Sequence, residues 1–330
     1  MSSPLVSVII PTYNYAKFIS EAIDSVLKQT YPTDKIEVIV IDDGSTDNTR
    51  EKLQAYSNLS KYIYQNNIGK AAATKAGIAC ASGKYLFNLD ADDLFFPDKI
   101  EQVVNIFEGD SEIVHIAHPA FCWNVERQTQ TSEVIPEVIK GRKIFGQDLL
   151  IYFYKQKMLF GGGSTFAART EILKSFQIPK EVDMFIDEYL VLFTLREGYS
   201  FLINQSLSLW RIHGHNYSNL SPNSSTFNAK EIRLNDSMEA VLNEVLKGKF
   251  YLQIKELYLL KSKVEKIAFK EKYAQKSMFD ILDLWLFIFQ HSKAFSQKFP
   301  NILKSYSVVN RTIPTFLLQY LKKYKRNYPL

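Results

Sequence analysis

Over the first 120 residues, short β-branched runs alternate with segments of helical period, and no other property of the chain restricts its fold as strongly. Val6–Ile10, Ile36–Ile41, Tyr62–Gln65 and Lys84–Leu89 read as strands. Lys17–Lys28, Thr46–Tyr56 and Gly69–Ala81 read as helices. Apolar strands separated by helices describe a parallel sheet covered on both faces, because each crossover must pack a helix back on the sheet. The expected architecture is α/β: a Rossmann-like, doubly wound, mostly parallel sheet. The loops that follow its strands then share one edge, where open α/β folds bind ligands.

Those loops are polar. Pro11-Thr12-Tyr13-Asn14 follows the first strand, Asp42-Asp43-Gly44-Ser45 the second, and Asp90-Ala91-Asp92-Asp93 the fourth. Two carboxylates about 4 Å apart repel by on the order of 4 kcal/mol at an effective dielectric of 20, so the last cluster calls for a cation or a solvated loop. Oxygen-only ligands favour Mg²⁺ or Mn²⁺ over zinc. The same residues also suit an acidic turn, or the N-cap of a helix starting near Pro97. A nucleotide fits the shared edge: Tyr13 can stack on a base and Asp43 can accept a base N–H.

Beyond this region, Ile113–Ala117 reads as a strand, Arg127–Gly141 as a polar excursion and Phe145–Tyr154 as a helix. Gly161-Gly162-Gly163-Ser164 reads as a flexible hinge or ligand-approach loop, followed by a strand-like Thr165–Ala168. From about Asn228 the character changes to long Lys- and Glu-rich helical segments. Phe279–Phe289 is almost wholly apolar yet too short to span a membrane, so a buried helix is expected. The expected division is residues 1–225 and a helical region 226–330, the latter serving acceptor, membrane or oligomer contacts. The basic end, with Lys322, Lys323, Lys325 and Arg326, suits a solvated tail or an anionic membrane surface.

The net charge of +5 suits phosphate-bearing ligands without requiring them, and no nucleic-acid signature accompanies it. Cys80 and Cys122 have no metal or redox spacing, which fits a reducing compartment. The start Met1-Ser2-Ser3-Pro4 lacks a charged-then-apolar leader pattern, so a cytoplasmic location is expected, with peripheral contact at the inner face of the cell membrane.

Taken in order, Val6-Ser7-Val8-Ile9-Ile10-Pro11-Thr12-Tyr13-Asn14, Val40-Ile41-Asp42-Asp43-Gly44-Ser45-Thr46-Asp47, Asn67-Ile68-Gly69 and Asp90-Ala91-Asp92-Asp93 resemble the motifs of family-2 glycosyltransferases with the GT-A fold, over about Leu5 to Ser218. The resemblance implies transfer of a sugar, with inversion, from a nucleoside diphosphate sugar (a UDP-sugar first) to a hydroxyl of a glycan or lipid-linked acceptor in surface polysaccharide synthesis, aided by Mn²⁺ or Mg²⁺. It implies that Pro11, Tyr13, Asp42 and Asp43 line the nucleoside pocket, and that Gly69, Lys70, Asp90 and Ala91 line the rest of the donor site. Asp92 and Asp90 are then the metal carboxylates.

Family members take their base from an acidic motif before a helix ending in Arg/Lys-x-Gly-Tyr. Here Phe185-Ile186-Asp187-Glu188-Tyr189 precedes Arg196-Glu197-Gly198-Tyr199, so the base falls on Asp187, with Glu188 its competitor. Trp210-Arg211-Ile212-His213 resembles a segment that places Arg211 on the diphosphate and His213 on the metal. Ala73-Thr74-Lys75 replaces the usual Ala-Arg-Asn, which leaves Lys70 or Lys75 to supply the missing cation. The alternatives are a sugar nucleotidyltransferase, disfavoured by the lack of an N-terminal Gly-rich phosphate loop, and a non-catalytic sugar-nucleotide-binding subunit. A homo-oligomer is compatible with either division of labour.

Overall fold

The apolar runs become neighbouring strands of one sheet in a computed structural model, which describes residues 3–56, 59–214, 216, 224–272 and 277–291. In chain order the elements are β1 (Val6–Thr12), α1 (Ile19–Leu27), β2 (Ile36–Asp42), α2 (Thr49–Gln54), β3 (Lys61–Tyr64), α3 (Lys70–Cys80), β4 (Tyr85–Asn88), β5 (Leu94–Phe95), α4 (Lys99–Gly109), β6 (Ile113–Ala117), β7 (Ala120–Asn124) and β8 (Thr129–Ser132). They continue with β9 (Lys143–Phe145), α5 (Gly146–Gln156), β10 (Ala167–Arg169), α6 (Thr170–Lys174), α7 (Ile186–Arg196), β11 (Tyr199–Leu202), β12 (Ser208–Ile212), α8 (Ser224–Lys247), α9 (Leu252–Lys272) and α10 (Met278–Gln290).

The main sheet has eight strands in the order β3-β2-β1-β4-β10-β6-β11-β9. β1 lies third from the β3 edge, parallel to β2 (Val6 opposite Ile36) and to β4 (Val6 opposite Tyr85). Every residue of β1, β2 and β4 is buried. An unbroken apolar run requires this, since a strand covered on both faces has no solvent side to alternate toward. α1 buries Ile19, Ala22, Ile23 and Val26, a stripe at helical spacing that joins the core with β1 and β2.

The expected doubly wound, mostly parallel sheet is realised, and the strand-like Thr165–Ala168 appears as β10, which runs antiparallel between β4 and β6. A second sheet of order β5-β12-β7-β8 includes a strand, β8, from within the supposed polar excursion. The exposed Thr129–Ser132 is too polar to show strand alternation.

The first compact unit extends over Met1–Ile254 and includes α8. In the second unit, α10 starts at a capping box in which Ser277 and Asp280 bond each other's backbone, and Asp283 pairs with Lys263 at 2.6 Å. α10 is not the wholly buried helix expected. It buries Leu284, Trp285, Phe287 and Ile288, whereas Phe279 and Phe289 are 80% and 72% exposed. Among the described residues no helix is long and apolar enough to cross a membrane. Lys322, Lys323, Lys325 and Arg326 lie outside the described residues.

Candidate active site

The C-terminal ends of β1 and β2 are stitched together by side-chain-to-backbone bonds that replace regular pairing. Asn14, at φ 60°, accepts from the Thr46 amide at 2.7 Å and donates its own amide to Ser45 Oγ at 2.9 Å. Asp42 is fully buried; its two oxygens take the Ser45 amide (2.8 Å) and the Tyr62 hydroxyl (3.1 Å). Asp43 accepts from Gln65 Nε2 and from the Ile68 and Gly69 amides at 2.7 to 3.1 Å. This carboxylate therefore fixes the turn that starts α3. Gly69 is required there, both by its φ of +99° and because a Cβ would lie 2.4 Å from Asp183. Pro11 is buried beside these loops, while Tyr13 is 42% exposed on their rim.

The turn delivers Lys70, the first residue of α3, to the centre of the site. Its Nζ lies 2.9 Å from Asp90 Oδ1 and 2.9 Å from Asp187 Oδ2. Burial opposes its charge, but Asp187 and Asp90 outweigh this and hold the ammonium well above the usual lysine range. Lys75 points elsewhere and donates to the Ile178 carbonyl, so of the two lysines only Lys70 reaches these carboxylates.

Asp187 lies in the first turn of α7, where helix N-termini favour negative charge. Desolvation raises its carboxyl above the ordinary range; Lys70 and the Gly163 amide oppose the shift and Asp90 adds to it. Glu188, one residue on, points away and accepts from the Tyr154 hydroxyl at 3.2 Å. Successive helical residues point about 100° apart, so the two acids face different partners. Only Asp187 faces Lys70 and Asp90.

Asp92 is buried, and burial followed by the Asp90 charge pushes its carboxyl up. Its Oδ2 is 3.2 Å from His213 Nε2 and accepts from Asn216 Nδ2 at 2.9 Å. His213 stacks on Phe18 with ring centroids 4.6 Å apart. The backbone of buried Ala91 links the two carboxylates. Among the described residues no three His, Cys, Asp or Glu side chains form a metal cage by themselves.

Arg211, expected on the diphosphate, is 4% exposed; its guanidinium bonds the Asp92 carbonyl and Glu21 and lies 4.9 Å over the Phe18 ring, while its Nη2 has no partner among the described residues. It thereby ties the carboxylate loop to α1. The Gly161–Ser164 loop, expected as a flexible hinge or ligand-approach loop, is packed on both sides. His115 Nε2 lies 3.3 Å from the Gly161 carbonyl, Ser164 is fully buried, and a Cβ on Gly162 would sit 3.2 Å from the Asp187 Cβ. The loop forms the wall against which Asp187 rests.

Reading the sequence missed Tyr15, Asn216 and Ser164. Tyr15 lies close enough to Asp92 and Asp90 that, after burial, their charges push its hydroxyl above the usual tyrosine range. A signal for it existed in its position, two residues past Tyr13 in the first loop. Asn216 and Ser164 carried none.

The sequence profile described as glycosyl transferase family 2 matches residues 7–176, just over half of the chain. The chain belongs to glycosyl transferase family 2. An uncharacterized glycosyltransferase of Nostoc sp. is 33% identical over 219 residues, covering 64% of this chain and 66% of that protein. One from Rickettsia prowazekii is 47% identical over 104 residues, covering 32% of each. The matched stretch is thus less than two thirds of either relative's length. Among solved structures, S. aureus TarS 1-349 in complex with UDP superposes with a TM-score of 0.61 at 18% identity, covering 85% of this chain and 78% of that one. The mannosyltransferase PcManGT from Pyrobaculum calidifontis, in complex with GDP-Man and Mn²⁺, gives 0.51 at 19%, covering 94% and 86%. These likenesses place this glycosyltransferase in the GT-A fold.

Proposed function

We propose that this family-2 glycosyltransferase moves a sugar, with inversion, from a nucleoside diphosphate sugar to a hydroxyl of a glycan or lipid-linked acceptor. A UDP-sugar is the first choice of donor, in keeping with the UDP complex of TarS. The observation that carries the reading is the convergence of Asp90 and Asp187, 97 residues apart in sequence, on the single ammonium of Lys70. A carboxylate poised for proton transfer thereby stands beside a carboxylate suited to a cation.

The donor set fits a divalent ion. Asp90 and Asp92 are hard oxygen donors whose mutual repulsion and burial leave a demand for positive charge, and Mg²⁺-type ions commonly take one or two carboxylates and complete their shell with substrate phosphates. Asp92, Asp90 and His213 would hold Mn²⁺ or Mg²⁺. When bound, such an ion supplies electrostatic stabilisation to a leaving diphosphate.

The chain's own residues do the rest. The acceptor oxygen bonds to the anomeric carbon as the bond from that carbon to the diphosphate oxygen breaks, and the leaving oxygen keeps the electron pair. Asp187 takes the proton of the acceptor hydroxyl. Its raised proton affinity suits it to this role, since a base works best when its pKa approaches the working pH. Lys70 offers a second cation to the diphosphate, and the Gly163 amide keeps the Asp187 carboxylate oriented. Asp43 and Tyr13 shape the nucleoside end.

Thermal-shift titration with UDP, GDP, TDP and CDP, each with Mn²⁺, tests the reading. A nucleotide at a hundred times its dissociation constant stabilises the folded state by about 2.7 kcal/mol, a shift of several degrees. Absence of a shift with all four would overturn it.

A further inference from the structure

Lys99 opens α4 and is fully buried, a rare place for an ammonium. Among the described residues it makes no ion pair. Its Nζ donates to the Ser164 carbonyl at 2.5 Å and to Ser208 Oγ at 3.0 Å, and it lies 3.6 Å from the centre of the Phe95 ring. Ser208 donates to the same carbonyl at 2.7 Å. Desolvation pulls the lysine well below its usual range, with the Asp93 charge opposing. An apolar side chain of the same length would be easier to bury, so the group is explained by what it holds and not by stability.

What it holds is Ser164, where two parts of the site meet. The Ser164 hydroxyl donates to Asp93 Oδ2 at 2.6 Å and accepts from the Asp90 amide at 3.0 Å. Asp93 Oδ1 in turn accepts the Arg211 amide at 3.0 Å, which joins β12 to the same loop. On its other side Ser164 continues the Gly162–Gly163 wall. There a Cβ on Gly163 would come within 3.1 Å of Asp90 Oδ2 and 3.9 Å of Asp187 Oδ2.

We propose that Lys99 is a positioning residue for sugar transfer: by fixing Ser164 it sets the Asp90–Asp93 loop and the glycine wall behind Asp187 in one frame. It touches neither substrate nor cation. The inference rests on the reading of Asp90 and Asp187 as donor-side and base carboxylates. The loops that shape the nucleoside end, around Asn14, Asp42 and Asp43, are held by bonds of their own.

The test is Lys99→Met, which keeps length and removes the donors. Amide hydrogen exchange at Asp90 and across Gly161–Ser164 is expected to quicken at least tenfold, with β1 and β2 unchanged. Turnover of the nucleotide sugar selected by the thermal-shift screen is expected to fall about a hundredfold in kcat, the scale of a misplacement of about 1 Å. The Kd for UDP without metal, which the nucleoside-end loops set, should stay within threefold. Unchanged exchange at those amides overturns the proposal. So does loss of metal-free UDP binding in step with kcat, which would mean general collapse. If Lys99→Met does not fold, Ser208→Ala is read by the same exchange, faster supporting the proposal and unchanged refuting it. If the wild type turns over no nucleotide sugar, the transferase reading fails by itself, and the exchange measurement still decides the role of Lys99.

Discussion

Asp187→Asn separates the chemical role of the carboxylate from its structural one, because the two have very different sizes here. The substitution keeps shape and removes one charge. Loss of a general base typically lowers kcat by 10² to 10⁴, or about 3 to 5 kcal/mol at about 1.4 kcal/mol per decade. The structural loss is the Lys70 ion pair at 2.9 Å, whose side chains are 28% and 40% exposed, so it contributes at most about 1 kcal/mol. That corresponds to a fall of no more than about 4 °C in Tm. Glu188→Gln is the internal control. Glu188 is buried against the Tyr154 hydroxyl, so its replacement should lower Tm while kcat stays within tenfold of wild type. The assay is release of nucleoside diphosphate from the donor chosen by thermal shift, with Tm followed on the same samples. An Asp187→Asn enzyme that retains more than a tenth of wild-type kcat, or a Glu188→Gln enzyme that loses as much as Asp187→Asn, refutes the assignment of the base.

Two further outcomes follow from the same geometry. Asp92→Asn should weaken UDP binding at least tenfold in the presence of Mn²⁺, measured by calorimetry, and leave metal-free UDP binding unchanged; equal weakening in both conditions would separate Asp92 from the cation. The stability contributed by buried His115 and His118 should fall as the pH drops from about 6.5 toward 4, opposed by the raised Asp92 and Asp187 carboxyls, which take up protons more readily in the folded chain. Burial lowers the His115 imidazole from 6.5 to about 4 in the folded chain and lowers His118 as well, so in this window the unfolded chain binds protons that the folded one does not. Fully buried His115 alone accounts for about 3 kcal/mol of this loss. Chemical denaturation at pH 7 and pH 4.5 measures it, and a His115→Gln variant with an undiminished slope would assign the effect to other groups.

What the sequence disclosed, and what it hid, follow from the range of the interactions involved. β1, β2 and β4 were legible because burial on both faces requires an unbroken apolar run, and that requirement is local. The loops after them were legible for a related reason. Asn14, Asp42 and Asp43 each satisfy backbone amides within a few residues or across one strand pairing, and such turns need Asn, Asp and Gly. Asp187 was less plain, since two adjacent acids satisfy the same pattern and only the rotation of α7 decides which one meets Lys70.

The rest depended on partners distant in sequence. The Trp210–His213 segment carries no mark of the Glu21 carboxylate, 190 residues earlier, that engages Arg211. Lys99, two residues after a proline at the start of a helix, has no local sequence feature that marks it as buried. Its burial follows from β12 and the Ser164 turn closing over it, 109 and 65 residues further along the chain. The glycine loop misled in the opposite direction. Glycine's freedom suggests motion when no neighbours are known, yet at Gly161, with φ at +89° and a Cβ position 2.5 Å from the His115 ring, that freedom is what allows the chain to be held in one conformation. Residues that carry charge chemistry at the rim of this sheet are therefore more readable than the buried residues that set their spacing. In such a site the test of mechanism lies as much in Lys99 and Ser164 as in the carboxylates themselves.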